Sequence, residues 1–268
     1  MDSVDSPART YSVDSLAVEI HGTRAELGQA AARAAAGHLR AILARQGSAR
    51  VIFACAPSQD EFLAALAAEP GVAWKNVTAF HMDEYVGLRA TDPASFRDYL
   101  RAQLSTKVNI GCIHEIAGDA ADSGAECLRY GALLQAAPID LVCLGIGENG
   151  HVAFNDPPVA DFNDPAWVKV VELDSQCREQ QVNDGCFPSL NRVPRQALTL
   201  TVPALMSAAR LVCVVPGQRK APAVAATLQG PISTACPASV LRTHQGAKLY
   251  LDLASASKLS LEKPGQVG

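Results

Sequence analysis

An α/β fold built on an open, mostly parallel Rossmann-like sheet with helices on both faces is the architecture this sequence predicts. Three observations predict it. The short apolar run after Asp140, ending at Gly145, reads as a strand buried on both faces, Arg50 to Ala56 as another buried strand, and Val77 to Met82 and Arg210 to Val215 as further strands. Segments of helical spacing lie between the N-terminal runs, so strand and helix alternate as in βαβ units. Several runs also empty into polar or glycine-bearing loops, which is where open α/β sheets bind ligands.

In chain order, residues 1–14 mix Ser, Asp, Pro and Arg and read as a loosely ordered lead-in. Leu16 to Ile20 reads as a first, edge strand. Ala-rich Thr23 to Gln46 carries apolar residues at helical spacing, and Gly47 closes it. After the Arg50 to Ala56 strand, Ser58 followed by Glu61 has the form of a capping box for a helix to Leu66. The Val77 to Met82 strand leads into Asp83-Glu84, and Asp92-Pro93 suits the start of a helix to about Leu104. Ser123 with Glu126 offers a second capping box before a helix to about Gln135. Past Pro158 the pattern loosens. Val168 to Leu173 reads as a strand and the polar run Ser175 to Gly185 as a lid or binding loop. Ala197 to Val202 and Arg210 to Val215 are further strands. Gly217-Gln218-Arg219-Lys220 heads an Ala-rich helix to about Leu228, and Lys248 to Leu253 is a last strand. The division expected is thus 1–14 lead-in, 15–259 one α/β domain and 260–268 tail.

Lys plus Arg at 23 against Asp plus Glu at 27 gives a net charge of -4, which offers no electrostatic case for nucleic acid or an anionic membrane surface. A small anionic ligand is compatible with it. The eight cysteines show no CxxC pairing, and several sit in apolar runs, as reduced core residues do, so neither a disulfide framework nor a metal site is expected. With a polar N-terminus and no apolar run of membrane-spanning length, a cytosolic protein is expected. A homo-oligomer is left open.

Four loops follow strands of the expected parallel sheet, and in such a sheet those strand ends line one edge. They are Ala54-Cys55-Ala56-Pro57-Ser58-Gln59, His81-Met82-Asp83-Glu84-Tyr85, Gly145-Ile146-Gly147-Glu148-Asn149-Gly150-His151 and Pro216-Gly217-Gln218-Arg219-Lys220. Glu148, His151 and Asp156 bring acid, base and orienting groups into one turn, while Gly145, Gly147 and Gly150 allow close backbone approach to a ligand. A helix start at Ser58 suits a phosphate. Lys220 in a first helical turn has the wrong sign for the helix dipole, and a bound anion would explain it.

The runs Phe80-His81-Met82-Asp83-Glu84-Tyr85-Val86-Gly87-Leu88 and Gly145-Ile146-Gly147-Glu148-Asn149-Gly150-His151-Val152-Ala153-Phe154-Asn155-Asp156-Pro157 resemble the glucosamine-6-phosphate deaminase (isomerase) family. That family belongs to a broader group with the 6-phosphogluconolactonases. The resemblance runs from the first long helix to about Leu253, and the Met-Asp-Glu-Tyr-Val-Gly-Leu form is closer to the deaminase branch. It implies conversion of an amino-sugar phosphate, foremost glucosamine 6-phosphate to fructose 6-phosphate and ammonia, with no cofactor. Asp83 would shuttle a proton between C2 and C1. His151 would assist ring opening, oriented by Asp156 where the family usually has Glu. Asn149 stands where the family usually has Asp, and Glu148 would compensate for it. Ser58, Gln59, Gly150 and Lys220 would hold the sugar phosphate. Two other readings stay open: hydrolysis of a phosphosugar lactone with His151 as base on water, and a non-catalytic sugar-phosphate binding or sensor protein.

Overall fold

Fully buried apolar strands set the central sheet. The computed structural model describes residues 9–260. Strand β1 (Arg9–Val13) pairs antiparallel with β2 (Leu16–His21), so the part of the expected lead-in that falls at 9–13 is a strand, and residues 1–8 lie outside the described residues. Its alternation of half-buried and exposed side chains suits a sheet edge. Helix α1 (Arg24–Gln46) follows, closed at its start by a Thr23–Glu26 capping box and at its end by Gly47 at φ +78°. Then come β3 (Ala49–Phe53), α2 (Asp60–Ala68), β4 (Val77–His81), β5 (Asp83–Tyr85), α3 (Phe96–Leu100), β6 (Cys112–His114) and α4 (Ser123–Gln135). The second half adds β7 (Leu141–Leu144), β8 (Val168–Glu172), α5 (Ser175–Asn183), β9 (Gln196–Leu200), α6 (Val202–Met206), β10 (Arg210–Val215), α7 (Ala221–Gln229) and β11 (Ala247–Asp252).

Eight strands run in the order β1-β2-β11-β10-β7-β3-β4-β6, all parallel except for β1. Alternate residues of each central strand face opposite helical layers. Val51, Phe53, Cys143, Val212, Val214 and Tyr250 pack with α1 and α2, whereas Ile52, Val142, Leu144, Leu211, Cys213 and Leu249 pack with α4, α6 and α7. The chain grows outward from β3 through β4 to β6, then returns to the other side of β3 for β7, β10 and β11. The switch therefore falls between β3 and β7. That junction is where an open α/β sheet leaves a crevice at its carboxyl edge.

Two of the expected strands, Val168 to Leu173 and Ala197 to Val202, form outside the parallel sheet, as β8 and β9. β9 pairs antiparallel with both β5 and β8 in a separate three-stranded sheet. The chain passes from β4 through Met82 straight into β5, and the Leu200 N–H donates to Met82 O at 2.8 Å. The small sheet thereby clamps the end of β4.

Three helix starts also differ from expectation. Asp122, not Ser123, caps α4, because Glu126 instead accepts from the Ala117 N–H and pairs with Arg129. Glu61 is drawn to Arg24 at 2.6 Å, so no capping box forms at Ser58; a 3-10 turn, Pro57–Gln59, leads into α2. Asp92 closes a turn onto the Ala94 N–H, and Ser95 takes the cap of α3. Ser175 to Asn183 is a helix, α5, capped by Asp174, instead of a loop. No helix among the described residues is long and apolar enough to cross a membrane.

Candidate active site

The loops after β3, β4, β7 and β10 meet over the switch point and enclose a cleft lined by Ser58, Gln59, Asp83, Gly147, His151 and Lys220, with Phe96, Ala153 and Phe154 as apolar wall. Helix α5 closes one side through Gln180 and Gln181.

Adjacent Asp83 and Glu84 have opposite situations. Both are buried, with Asp83 6% and Glu84 0% exposed. Glu84 accepts from the Ser95 hydroxyl at 2.6 Å and from the Tyr85, Arg97 and Phe96 amides, and its carboxylate lies 3.3 Å from Arg97 Nε. It is thus the anchor of α3, although burial still pushes its pKa up against those bonds. Asp83 points to the cleft, and its carboxylate has no hydrogen-bond partner among the described residues. Burial first, and the Glu84 charge second, hold its pKa well above the usual carboxylate range. Its backbone is fixed by pairing with Thr199 and by His81, whose Nδ1 lies 2.8 Å from Asp83 O. The His81 Nε2 accepts the Ile116 N–H, so Nδ1 carries the proton. Burial lowers the His81 pKa to about 4, which keeps that ring neutral at ordinary pH.

His151 is held by a three-membered network. Its Nδ1 lies 2.8 Å from Asp156 Oδ1 and 2.7 Å from Asn149 Oδ1. Asn149 Nδ2 donates to the same Asp156 oxygen at 2.9 Å, which fixes the amide's orientation. Since both groups offer Nδ1 an acceptor, the proton sits there and Nε2 keeps a lone pair for chemistry. Asp156 is fully buried. Burial would raise its pKa, but the bond from and charge of His151, the Asn149 amide and the Asp174 N–H outweigh it and hold the carboxyl below its ordinary range. Gly147 has no room for a side chain, because a methyl there would collide with the His151 imidazole. Gly150 turns the chain at φ +85°, and a Cβ there would meet Cys236 Sγ at 2.8 Å. Of the three glycines in this loop, Gly150 alone has a positive φ.

The network gives Asn149 a role that aspartate could not fill. Asn149→Asp would remove the amide donor and set a second carboxylate against Asp156. The variant is expected to melt below the parent at neutral pH, with the gap narrowing in acid as the pair takes up a shared proton; thermal scans against pH check this.

Lys220 is 7% exposed, and its ammonium has no hydrogen-bond or ion-pair partner among the described residues. Burial lowers its pKa, while Asp184 and Glu148 oppose the shift. An unpaired buried cation facing a cleft is a group that an anion could neutralise. Ser58 and Lys220 line both this cleft and an outer groove with Arg24 and Arg219. Gln59 spends its Nε2 on Val214 O at 3.1 Å, tying the β3 loop to β10. Glu148 does not line the cleft: its carboxylate turns outward to Arg219 at 3.3 Å, and Arg219 also binds Asp184 at 2.7 Å. Glu148 therefore stands apart from the Asn149–Asp156 pair that contacts His151 Nδ1. Cys177, Gln180 and Gln181, all buried on α5, reach the site without having been singled out in the sequence, since nothing in a polar run marks which face turns inward.

A parallel sheet with an oriented histidine, a buried carboxylate and an unpaired lysine at its carboxyl edge defines an α/β enzyme of acid–base chemistry. The pattern of glucosamine-6-phosphate isomerases/6-phosphogluconolactonase matches residues 22–250, and the chain belongs to that family. It is 38% identical over 202 residues to a glucosamine-6-phosphate deaminase of Listeria monocytogenes, covering 75% of this chain and 84% of the relative. A glucosamine-6-phosphate deaminase of Cellvibrio japonicus is 36% identical over 197 residues, covering 72% of each. Among solved structures, a monomeric glucosamine-6-phosphate deaminase superposes with a TM-score of 0.82 at 32% identity, covering 90% of this chain and 99% of that one. A 6-phosphogluconolactonase of Shewanella baltica gives 0.72 at 16% identity over 90% and 97%, a likeness of fold.

Proposed function

We propose that this chain, in the cytoplasm, converts glucosamine 6-phosphate and water to fructose 6-phosphate and ammonia. The observation that carries the reading is the convergence of Asp83, oriented His151 and unpaired Lys220 on one cleft. Its similarity to enzymes named for that reaction supports it. Lys220, with Ser58 beside it, holds the phosphate and so places the sugar. His151 Nε2 takes the proton of the anomeric hydroxyl and returns one to the ring oxygen, which opens the ring. Asp83 then removes the proton from C2 and delivers it to C1. This shift leaves an imine at C2, and water hydrolyses the imine to the ketone with release of ammonia. The upward shift of the Asp83 pKa suits a group that must both accept and return a proton.

The test supplies glucosamine 6-phosphate to the purified chain and follows both products. Ammonia and fructose 6-phosphate in equal amounts are expected. Absence of both, or ammonia without the ketose, overturns the reading.

A further inference from the structure

The geometry points to an inhibitory binding site for a borderline or soft divalent cation, such as Zn²⁺ or Cd²⁺, formed by His151, Asp156 and Cys177. Spacing along the chain shows no such site, because the three residues come from the β7 loop, the segment after it and α5. In space, a His151 ring nitrogen, an Asp156 oxygen and the Cys177 sulfur all lie within 4.8 Å of one another. Zn²⁺ holds imidazole, carboxylate and thiolate at roughly 2.0–2.3 Å, which sets tetrahedral ligand atoms about 3.3–3.8 Å apart, so the widest pair here closes by at most about 1.5 Å. Three protein ligands leave a fourth position open, as in other three-ligand zinc centres.

Charge favours the same conclusion. All three side chains are buried, at 8%, 0% and 1% exposure. A buried divalent ion needs two negative charges close by, and Asp156 supplies one. Cys177 supplies the other by releasing its thiol proton to solvent as the metal–sulfur bond forms. His151 binds as neutral imidazole, so the assembled site is uncharged. Whichever ring nitrogen is used, the 2.8 Å contact with Asp156 is broken or the catalytic lone pair is taken. The inhibitory half of this inference rests on the role given to His151 above; the binding half does not.

Titration of the chelator-treated full chain with cadmium chloride tests both halves, reading the ultraviolet cadmium–thiolate charge-transfer band alongside ammonia release. The parent protein is expected to develop the band with one equivalent of metal, lose turnover in step with it, and regain turnover on adding EDTA. Cys177→Ser, compared with its own metal-free rate, should lose that band and require at least about tenfold more metal for inhibition. Cys112, exposed and 3.7 Å from His114, forms a second sulfur–imidazole pair, and Cys112→Ser should behave as the parent. Unchanged metal affinity in Cys177→Ser, or loss of band and inhibition in Cys112→Ser, overturns the site. Should Cys177→Ser fail to fold by circular dichroism, His151→Gln carries the same measurement, with at least about tenfold weaker cadmium binding expected and unchanged affinity overturning it. A normal band in a chain that makes no ammonia would sink the proposed reaction alone; full turnover without a band would sink the metal site alone.

Discussion

Asp83→Asn is expected to lose roughly 10²–10⁴-fold in turnover and yet to melt above the parent protein at neutral pH. The loss follows from chemistry, because the amide cannot accept the C2 proton and no second carboxylate takes over. Glu84 is adjacent but is bound to Ser95, Tyr85, Phe96 and Arg97, with its side chain fully buried. The gain in stability follows from linkage. Asp83 has a folded-state pKa well above its ordinary 3.8, so the folded protein holds that proton more tightly than the unfolded chain. Its contribution is fully present below the unfolded pKa and is lost as pH rises through the folded one. At neutral pH the buried charge therefore costs stability, and the neutral amide removes that cost. The advantage of the variant should shrink as pH falls toward 4, and thermal melts of both proteins across pH check the sign. The same raised pKa sets the acid limb of kcat/KM in the parent above the usual aspartate range. A limb at the ordinary aspartate position, or a variant no more stable at neutral pH, would contradict the environment assigned to Asp83.

Residues that announce a position by burial were legible in the sequence, and residues whose role depends on a distant partner were not. The strands β3, β7 and β10 are nearly unbroken apolar runs because helices cover both faces, and their ends located the four loops that meet at the cleft. β1 has polar residues facing outward at a sheet edge and β6 is only three residues long, so neither stands out. β8 and β9 were readable as strands but not as an antiparallel pair, since a strand's composition does not name its partner. Two capping-box patterns failed because Glu61 and Glu126 each had a stronger partner: Arg24, far away in the chain, and Arg129, one turn further along α4. Asp83 and Glu84 are chemically alike in the sequence, and only the donors converging from α3 separate an anchor from an unpaired carboxylate. Glu148 looked equivalent to its neighbours in the loop until Arg219 turned it away.

Asp156→Asn should damage both catalysis and stability, the reverse of the combination expected at Asp83. In the parent, Asp156 and Asn149 both accept from His151 Nδ1, so the ring has one tautomer available. An amide at 156 can present its NH₂ to the ring instead of oxygen, which admits the other tautomer and places a proton on the nitrogen that must act as base. A fall of at least about 10²-fold in turnover is expected. Stability falls because Asn149 Nδ2 and the Asp174 N–H lose a charged acceptor in a buried place, a change costing about 1–3 kcal/mol. At roughly 2–4 °C per kcal/mol for a chain of this size, the melting temperature should drop by several degrees. Linkage gives the pH dependence. The folded pKa of Asp156 is depressed, so its contribution is present above the ordinary value of 3.8 and is lost as pH falls through the folded value. Parent and variant should therefore differ most at neutral pH and converge in strong acid, opposite to the trend for Asp83. If the two variants shift in the same direction with pH, the cleft does not hold its two aspartates in opposite charge environments, and the division of labour between proton shuttle and histidine partner fails with it.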